Sequence, residues 1–549
     1  MKARWLIAMR WMVCFTGLLF LVSCGGEQAA GDDDDSGAAN DDGANDDAAV
    51  DDDLVADDDM ADDDAANDDA LNDDMIDDDT LFDDDTVPPD DDSATDDDTV
   101  DDDTIDDDDT IDDDYYAPPP SDEIGIFVAK TGDDQNPGTM AEPKLTIGAA
   151  LLVAIPAAKA VFVAEGDYDE APLTISFSLF GGYRACDWSR DIEQYHTSIH
   201  GLATPAVMMT GGTESAPVIL EGFEITASVV EYHSTGVEID LAEAAIVAHN
   251  HITSGKVVCY FFMTGPGDTR AVSIGRCHQV LIEKNTIVGG QADWYFWASA
   301  SSCAISVSMY VDQALIMNNA IVTGKSNHGS GEGLSVLAAE AVIAGNTVTA
   351  ADLDRGLGLA IDERSTAVII NNLFHGFDRG AMIWGFSLFL NNTFSGVSLG
   401  PQSSGSMGLM FYNEGEIINN TISGYDLQLF VWSETPTPLL TLLHNNLGAT
   451  FAGAKLLESN QETITDIEMV NQCAWDTCRM AEGNINVDPL FAGPDDLHLT
   501  AESPCIDAGM NPEEWYAGDL ADHDIDGDAR PQGAGWDIGM DEFTAWRKR

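Results

Sequence analysis

Positive charge is what this sequence lacks most. Its 549 residues carry 22 Lys and Arg against 99 Asp and Glu, a net charge of −77. So acidic a chain repels phosphate backbones and anionic headgroups, which excludes nucleic acid and acidic lipid surfaces as partners. Long apolar runs are missing too. The first, Trp11 to Val22, falls short of the ~20 residues that a comfortable membrane span needs. Cysteine is sparse, nine in all, and no Cys-x-x-Cys pair offers the usual spacing of a structural zinc site. Between Asp32 and Asp114 there is no Lys or Arg, and 43 positions are Asp. Such a stretch cannot bury enough apolar surface to offset its ordering entropy, and its charges repel one another. It is expected to be a disordered tether with a reach on the order of 280 Å. A solvated spacer fits it better than a cation store, because isolated carboxylates on a flexible chain hold Ca²⁺ weakly.

The beginning of the chain explains what such a tether is for. Lys2, Arg4 and Arg10 precede the apolar run, which stops at Ser23-Cys24-Gly25-Gly26. A basic start, a short apolar segment and small residues at a cut describe a secretory signal peptide over residues 1–23. The stretch Leu21-Val22-Ser23-Cys24 resembles a bacterial lipobox, and the resemblance implies cleavage before Cys24 and lipidation of that residue. In enteric bacteria an Asp in the second mature position retains lipoproteins at the inner membrane. Gly25 stands there, so the resemblance implies the outer membrane and the cell surface, with the periplasmic face as the alternative.

From Tyr115 onward the body still has 55 acidic and 19 basic residues, a charge of −36. One phrase keeps returning in it: Asn250-His-Ile, Asn285-Thr-Ile, Asn319-Ala-Ile, Asn346-Thr-Val, Asn372-Leu-Phe, Asn392-Thr-Phe, Asn420-Thr-Ile and Asn446-Leu-Gly. The spacings are 35, 34, 27, 26, 20, 28 and 26. An alternating apolar run precedes each Asn, as in "VLIEKN" and "AVIINN", and a second run lies about ten residues earlier. Self-similarity with such a period means a solenoid, whose units bury their apolar faces only by stacking. Nine or ten coils at about 4.8 Å each predict a rod roughly 45 Å long.

This pattern resembles the right-handed parallel β-helix of the pectin-lyase-like superfamily, mostly uncharacterised bacterial secreted members of it. There a corner Asn stacks on the Asn of the next coil, and Asn tolerates a left-handed corner. The flanks resemble the family as well: "IFVAKTGDDQNPGTMAEPKLTIGAALLVA" and "LFGGYRACDWSRD" at the start, "NVDPLFAGPDDLHLTAESPCIDAGMNP" and "DIDGDARPQGAGWDIGMDEF" at the end. The resemblance implies a short amphipathic helix, begun by Pro-Lys-x-Thr-Ile, that caps the open end. The expected organisation is a tether over 24–122, an all-β single solenoid over 123–510 and an acidic closing segment over 511–549.

Enzymes of the superfamily suggest what to look for. A lyase needs an Arg or Lys base and a cation to neutralise a uronate. Arg270, Arg276, Lys284, Lys325, Arg355, Arg364 and Arg379 are scattered, with no Arg-Pro-x-x-Arg. The nearest approach to a polygalacturonase motif is "NHGSG" at 327–331, and Asp352, Asp354 and Asp362 are candidate acids. The reading leans away from catalysis and towards binding of a polysaccharide or surface protein. Two loops, "GKVVCYFFMTGPGDTR" and "GGQADWYFWASASSC", bring Tyr260, Phe261, Phe262, Trp294, Tyr295, Phe296 and Trp297 to one corner of adjacent coils. "GKSNHGSGEG" inserts at that corner one coil later. Aromatics beside polar groups make stacking platforms for sugars, or they pack on the rod. Cys473 and Cys478 are close enough to pair, Cys259 and Cys303 could tie the two loops, and Cys505 is expected in the core. Asp522, Asp524, Asp526 and Asp528 alternate around a turn Gly like the start of a Ca²⁺ loop, although Gly533 stands where such a loop ends in Glu.

Overall fold

The computed structural model describes residues 115–545 apart from 231–232, 260–267, 295–300, 327–330, 352–355, 400–404, 434–438, 449–450, 452 and 461. Cys24 and the Asp-rich stretch lie outside the described residues. The described chain is a right-handed parallel β-helix, the hand that parallel crossovers of L-residues favour. Each coil gives one short strand to each of three sheets. Thus Asp268–Ile274, Cys277–Glu283 and Thr286–Val288 pair in parallel with Ser301–Val307, Val311–Met317 and Ala320–Val322 of the next coil. These are the first, second and third sheets, in the order the chain meets them. The long strand His233–Ala248 runs through both the first and the second. The third sheet holds 11 strands, so the stack is about 48 Å tall at ~4.8 Å per strand.

The apolar alternation seen in the sequence is the inward face of these strands. Ile225, Ile252, Ile287, Ile321, Val348, Phe374, Phe394, Ile422 and Leu447 stand in register down the third sheet. All are buried, and the Phe374 and Phe394 rings stack 4.6 Å apart. β-Branched and aromatic side chains suit such cross-strand columns, where each rests on its own kind.

The Asn column is a hydrogen-bonded ladder. The backbone N–H of Asn346 donates to Asn372 Oδ1 at 2.9 Å, and its Nδ2 donates to the same oxygen and to the carbonyls of Ile316 and Ala344. The same pattern links Asn250, Asn285, Asn319, Asn346, Asn372, Asn392, Asn420, Asn445 and Asn484. Two expectations are corrected here. The rung is Asn445, because Asn446 has already entered the third sheet opposite Thr421. The left-handed residue is the one before each rung: His249, Lys284, Asn318, Asn371, Asn391, Asn419 and His444 have φ of 52–56°. Gly345 and Gly483 occupy the same position at φ 63° and 68°. This explains the Asn-Asn doublets, since Asn and Gly tolerate that conformation and most residues do not.

The helix Ile147–Ala157 forms at the expected place, its Thr146 hydroxyl capping Ala149 N–H, and packs Ile147, Ala150, Leu151 and Ala154 on the first coils. It is not amphipathic, because it contains no charged residue and leaves Leu152 79% exposed. The early "GYRACDWSRD" motif is a lid: Trp188 packs edge-on against Phe127 at 4.6 Å, and Arg190 pairs with the fully buried Glu221 at 3.0 Å. Glu221 also accepts the N–H groups of Tyr116 and Ala117, which fixes the first described residues to the rod.

The last strand of the stack is Cys478–Glu482. The closing segment then turns back along the outward face of the second sheet. Trp536, Ala521, Leu520, Trp515 and Met510 cover Ile370, Leu388, Leu390, Ile418 and Leu443. Asn371 Nδ2 donates to the carbonyls of Leu520 and His523, and Asn419 Nδ2 to that of Met510. The doublet asparagines therefore serve twice, as left-handed corners and as anchors. The segment is acidic, but it is packed and is not a solvated strand.

Candidate functional site

The three loop insertions begin side by side. Lys256–Cys259, Gln291–Trp294 and Lys325–Ser326 form a small parallel sheet of their own at one corner of the helix. Tyr260, Phe261 and Phe262, then Tyr295, Phe296 and Trp297, lie outside the described residues, as do 327–330, Asp352, Asp354 and the side chain of Trp294. Lys256 Nζ meets Asp293 Oδ2 at 2.6 Å at the base of these loops.

Beside that corner, the outward face of the first sheet presents two columns of side chains. Register sets Thr235, Arg270, Cys303, Glu332, Leu357 and Arg379 one above another. A few residues on, Glu238, Ser273, Ser306 and Ser335 form a second column. Arg270 is the centre of charge. Its guanidinium reaches Asp268 Oδ2 at 2.5 Å, and Asp268 also contacts His233. Glu332 and Glu238 are half-buried on the same face. Burial raises both carboxyls above the ordinary range, Asp240 raises Glu238 further, and Arg270 pulls each back down. The guanidinium can neutralise an acidic ligand, and carboxyls that hold their protons unusually well can donate one.

Spacing alone did not reveal this group. Glu238, Arg270 and Glu332 lie on different coils, separated by insertions of unequal length that blur the repeat outside the Asn corner. Of the other scattered basic residues, Arg276 pairs with Asp240 and Arg379 is exposed in the Arg270 column. Asp362 caps its own turn by accepting the Arg364 N–H.

The cysteines divide. Cys473 and Cys478 form a disulfide. Cys303 is a buried, unbonded thiol between Arg270 and Glu332, and burial raises its pKa. The expected bridge from Cys259 to Cys303 is therefore not formed: Cys259 belongs to the small corner sheet, opposite Trp294, and Cys303 to the first sheet. Cys505 is buried among Leu499 and Ile538.

The Asp run does not make the expected calcium loop. Asp524 spends its carboxylate on the N–H groups of Asp526, Asp528 and Glu542, which shapes the turn. Asp526 points instead to His498 at 2.8 Å, and Asp522 is exposed. Among the described residues the four carboxylates do not converge on one point.

A concavity of about 410 Å³ lies elsewhere, at the corner between the second and third sheets, with His196, Glu224, His249 and His251 in its wall. His196 Nδ1 is 2.9 Å from Glu224 Oε1. No helix among the described residues is long and apolar enough to cross a membrane.

The class that fold and site define is a parallel β-helix with a charged, serine-lined outer face beside a small corner sheet. No protein-family model matches the chain, and no curated protein matches it. Among solved structures, the pectate lyase Pel9A is similar at TM-score 0.38 and 13% identity, over 76% of this chain and 96% of that one.

Proposed function

We propose that the chain is an exported lipoprotein, anchored through Cys24 at the outer membrane, whose β-helix binds a polysaccharide along the outward face of its first sheet. The observation that carries this reading is the repetition of polar side chains at coil spacing, Ser273, Ser306 and Ser335 beside Arg270 and Glu332. Donors and acceptors recurring every ~4.8 Å suit a linear polymer of repeating hydroxyls and carboxylates. The loop aromatics would supply stacking surfaces at the edge of that face.

A glycan array with residues 115–549, read for both retention and cleavage products, tests it. Trp294→Ala and Trp297→Ala should each weaken retention by about 1 kcal/mol while the fold persists, because loops outside the coils carry little of the core. Failure to retain any glycan overturns the reading. A second reading, a polysaccharide lyase or glycoside hydrolase, draws support from Glu238, Arg270 and Glu332 standing together. Under it, Glu332→Gln or Arg270→Lys would stop depolymerisation and leave retention. Asp354 and Arg379, one of the candidate acids and one of the scattered basic residues of the sequence, would then not be the first to change.

A further inference from the structure

We propose that His498, Asp526 and Asp541 form a divalent-metal site that selects a borderline cation such as Zn²⁺ over Ca²⁺. The three residues come from separate stretches, and their ligand atoms lie within 4.8 Å of one another. His498 is oriented from behind, its Nδ1 lying 2.6 Å from Asp496 Oδ1. Its Nε2 lies 2.8 Å from Asp526 Oδ2. A ring held by a carboxylate at one nitrogen and aimed at ligand groups with the other is the arrangement usual for metal-binding histidine. Asp541 is only 4% exposed, and the Leu499 N–H pins its Oδ2 at 2.7 Å.

Charge gives an independent reason. Asp541 lies among further buried carboxylates, Asp524, Asp537 and Glu542, beside the buried Arg530, which pairs with Glu542 at 3.1 Å. Keeping a buried carboxylate charged is costly, and a cation beside it offsets that cost. A divalent ion held by Asp526 and Asp541 would offset the charge of the buried Asp541 and that of Asp526 at the surface. One imidazole nitrogen and two carboxylate oxygens suit zinc, whereas calcium takes six to eight oxygens. The calcium loop expected from the sequence shared only Asp526 with this set. The site stands apart from the glycan-binding face and does not depend on it.

The test is calorimetric titration of the chelator-stripped full chain with Zn²⁺ and Ca²⁺, together with thermal melts. The Asp-rich stretch is common to wild type and variants, so the difference between them reads the site. One tight Zn²⁺ equivalent that raises the melting temperature is expected in wild type and absent in His498→Gln. Asp526→Asn, at a surface position, should lose the same equivalent with the fold intact. Asp496→Asn should weaken Zn²⁺ by about 10–100-fold. Co²⁺ in place of Zn²⁺ should give a visible absorption band that His498→Gln removes. Indistinguishable Zn²⁺ titrations for wild type and Asp526→Asn would overturn the proposal, as would a tight site that prefers Ca²⁺. If His498→Gln does not fold, Asp526→Asn decides alone.

Discussion

Asn346 donates to Asn372 Oδ1, Ile316 O and Ala344 O, and its own Oδ1 accepts from Asn319 N and Nδ2. Replacing it with Leu leaves several of these groups unpaired in a corner that water does not reach, at ~1–3 kcal/mol for each buried loss. Asn346→Leu should therefore lower stability by a few kcal/mol, seen as a clear drop in melting temperature. An unchanged melting temperature would show that the ladder carries no load. Asp537 makes a pH-dependent contribution. Burial lifts its carboxyl to about 7, against the lowering effect of the Phe543 and Asp507 N–H groups. Unfolded, an Asp titrates near ~3.9. The folded chain thus binds the extra proton between those values, so this contribution to stability is fully present below about pH 4 and falls as pH rises through 7. Melts of wild type and Asp537→Asn across that window should show a steeper decline with pH in wild type. Parallel curves would count against a shifted Asp537.

Strands were legible because their period is local. The alternation before each Asn needs only a few neighbours, and in β-structure it translates directly into inward and outward faces. The helix over Ile147–Ala157 was legible from its motif, but its face was not, since an apolar sequence with no charge marks no outer side. The Asn-Asn doublets were misread by one position at Asn446. A repeat fixes which residues are equivalent, and only the backbone shows which member of a pair turns left-handed. The closing segment is an element the sequence offered as an acidic tail and the fold uses as a strap. Trp536 is its main apolar contact. Trp536→Ala should cost about 3–5 kcal/mol if the site cannot collapse, and should uncover Leu388, Leu390 and Ile418 to a hydrophobic dye. Wild-type dye binding and stability in the variant would show that the strap is dispensable.

For the whole molecule, the proposed anchor sets where the rod works. Cys24→Ser should abolish thioether lipidation and release the protein from membranes, checked by fractionation and by incorporation of labelled palmitate. Continued labelling and membrane partition in the variant would sink the lipoprotein reading. A body of charge −36 on a linker of like sign should stay clear of anionic surfaces, with its reach governed by ionic strength.

The sequence by itself determined the solenoid, its inward columns and its Asn corners, because each depends on a pattern repeated within a few dozen residues that stacking merely multiplies. Tertiary structure alone decided the partnerships that no local period encodes. Asn371 meets His523 across 152 positions, Arg270 and Glu332 share one column two coils apart, and Cys303 lies in a different sheet from Cys259. His498, Asp526 and Asp541 come together only because the strap folds back over the finished rod. Such contacts join distant stretches whose entropy of closure is offset only once the coils beneath them are in place.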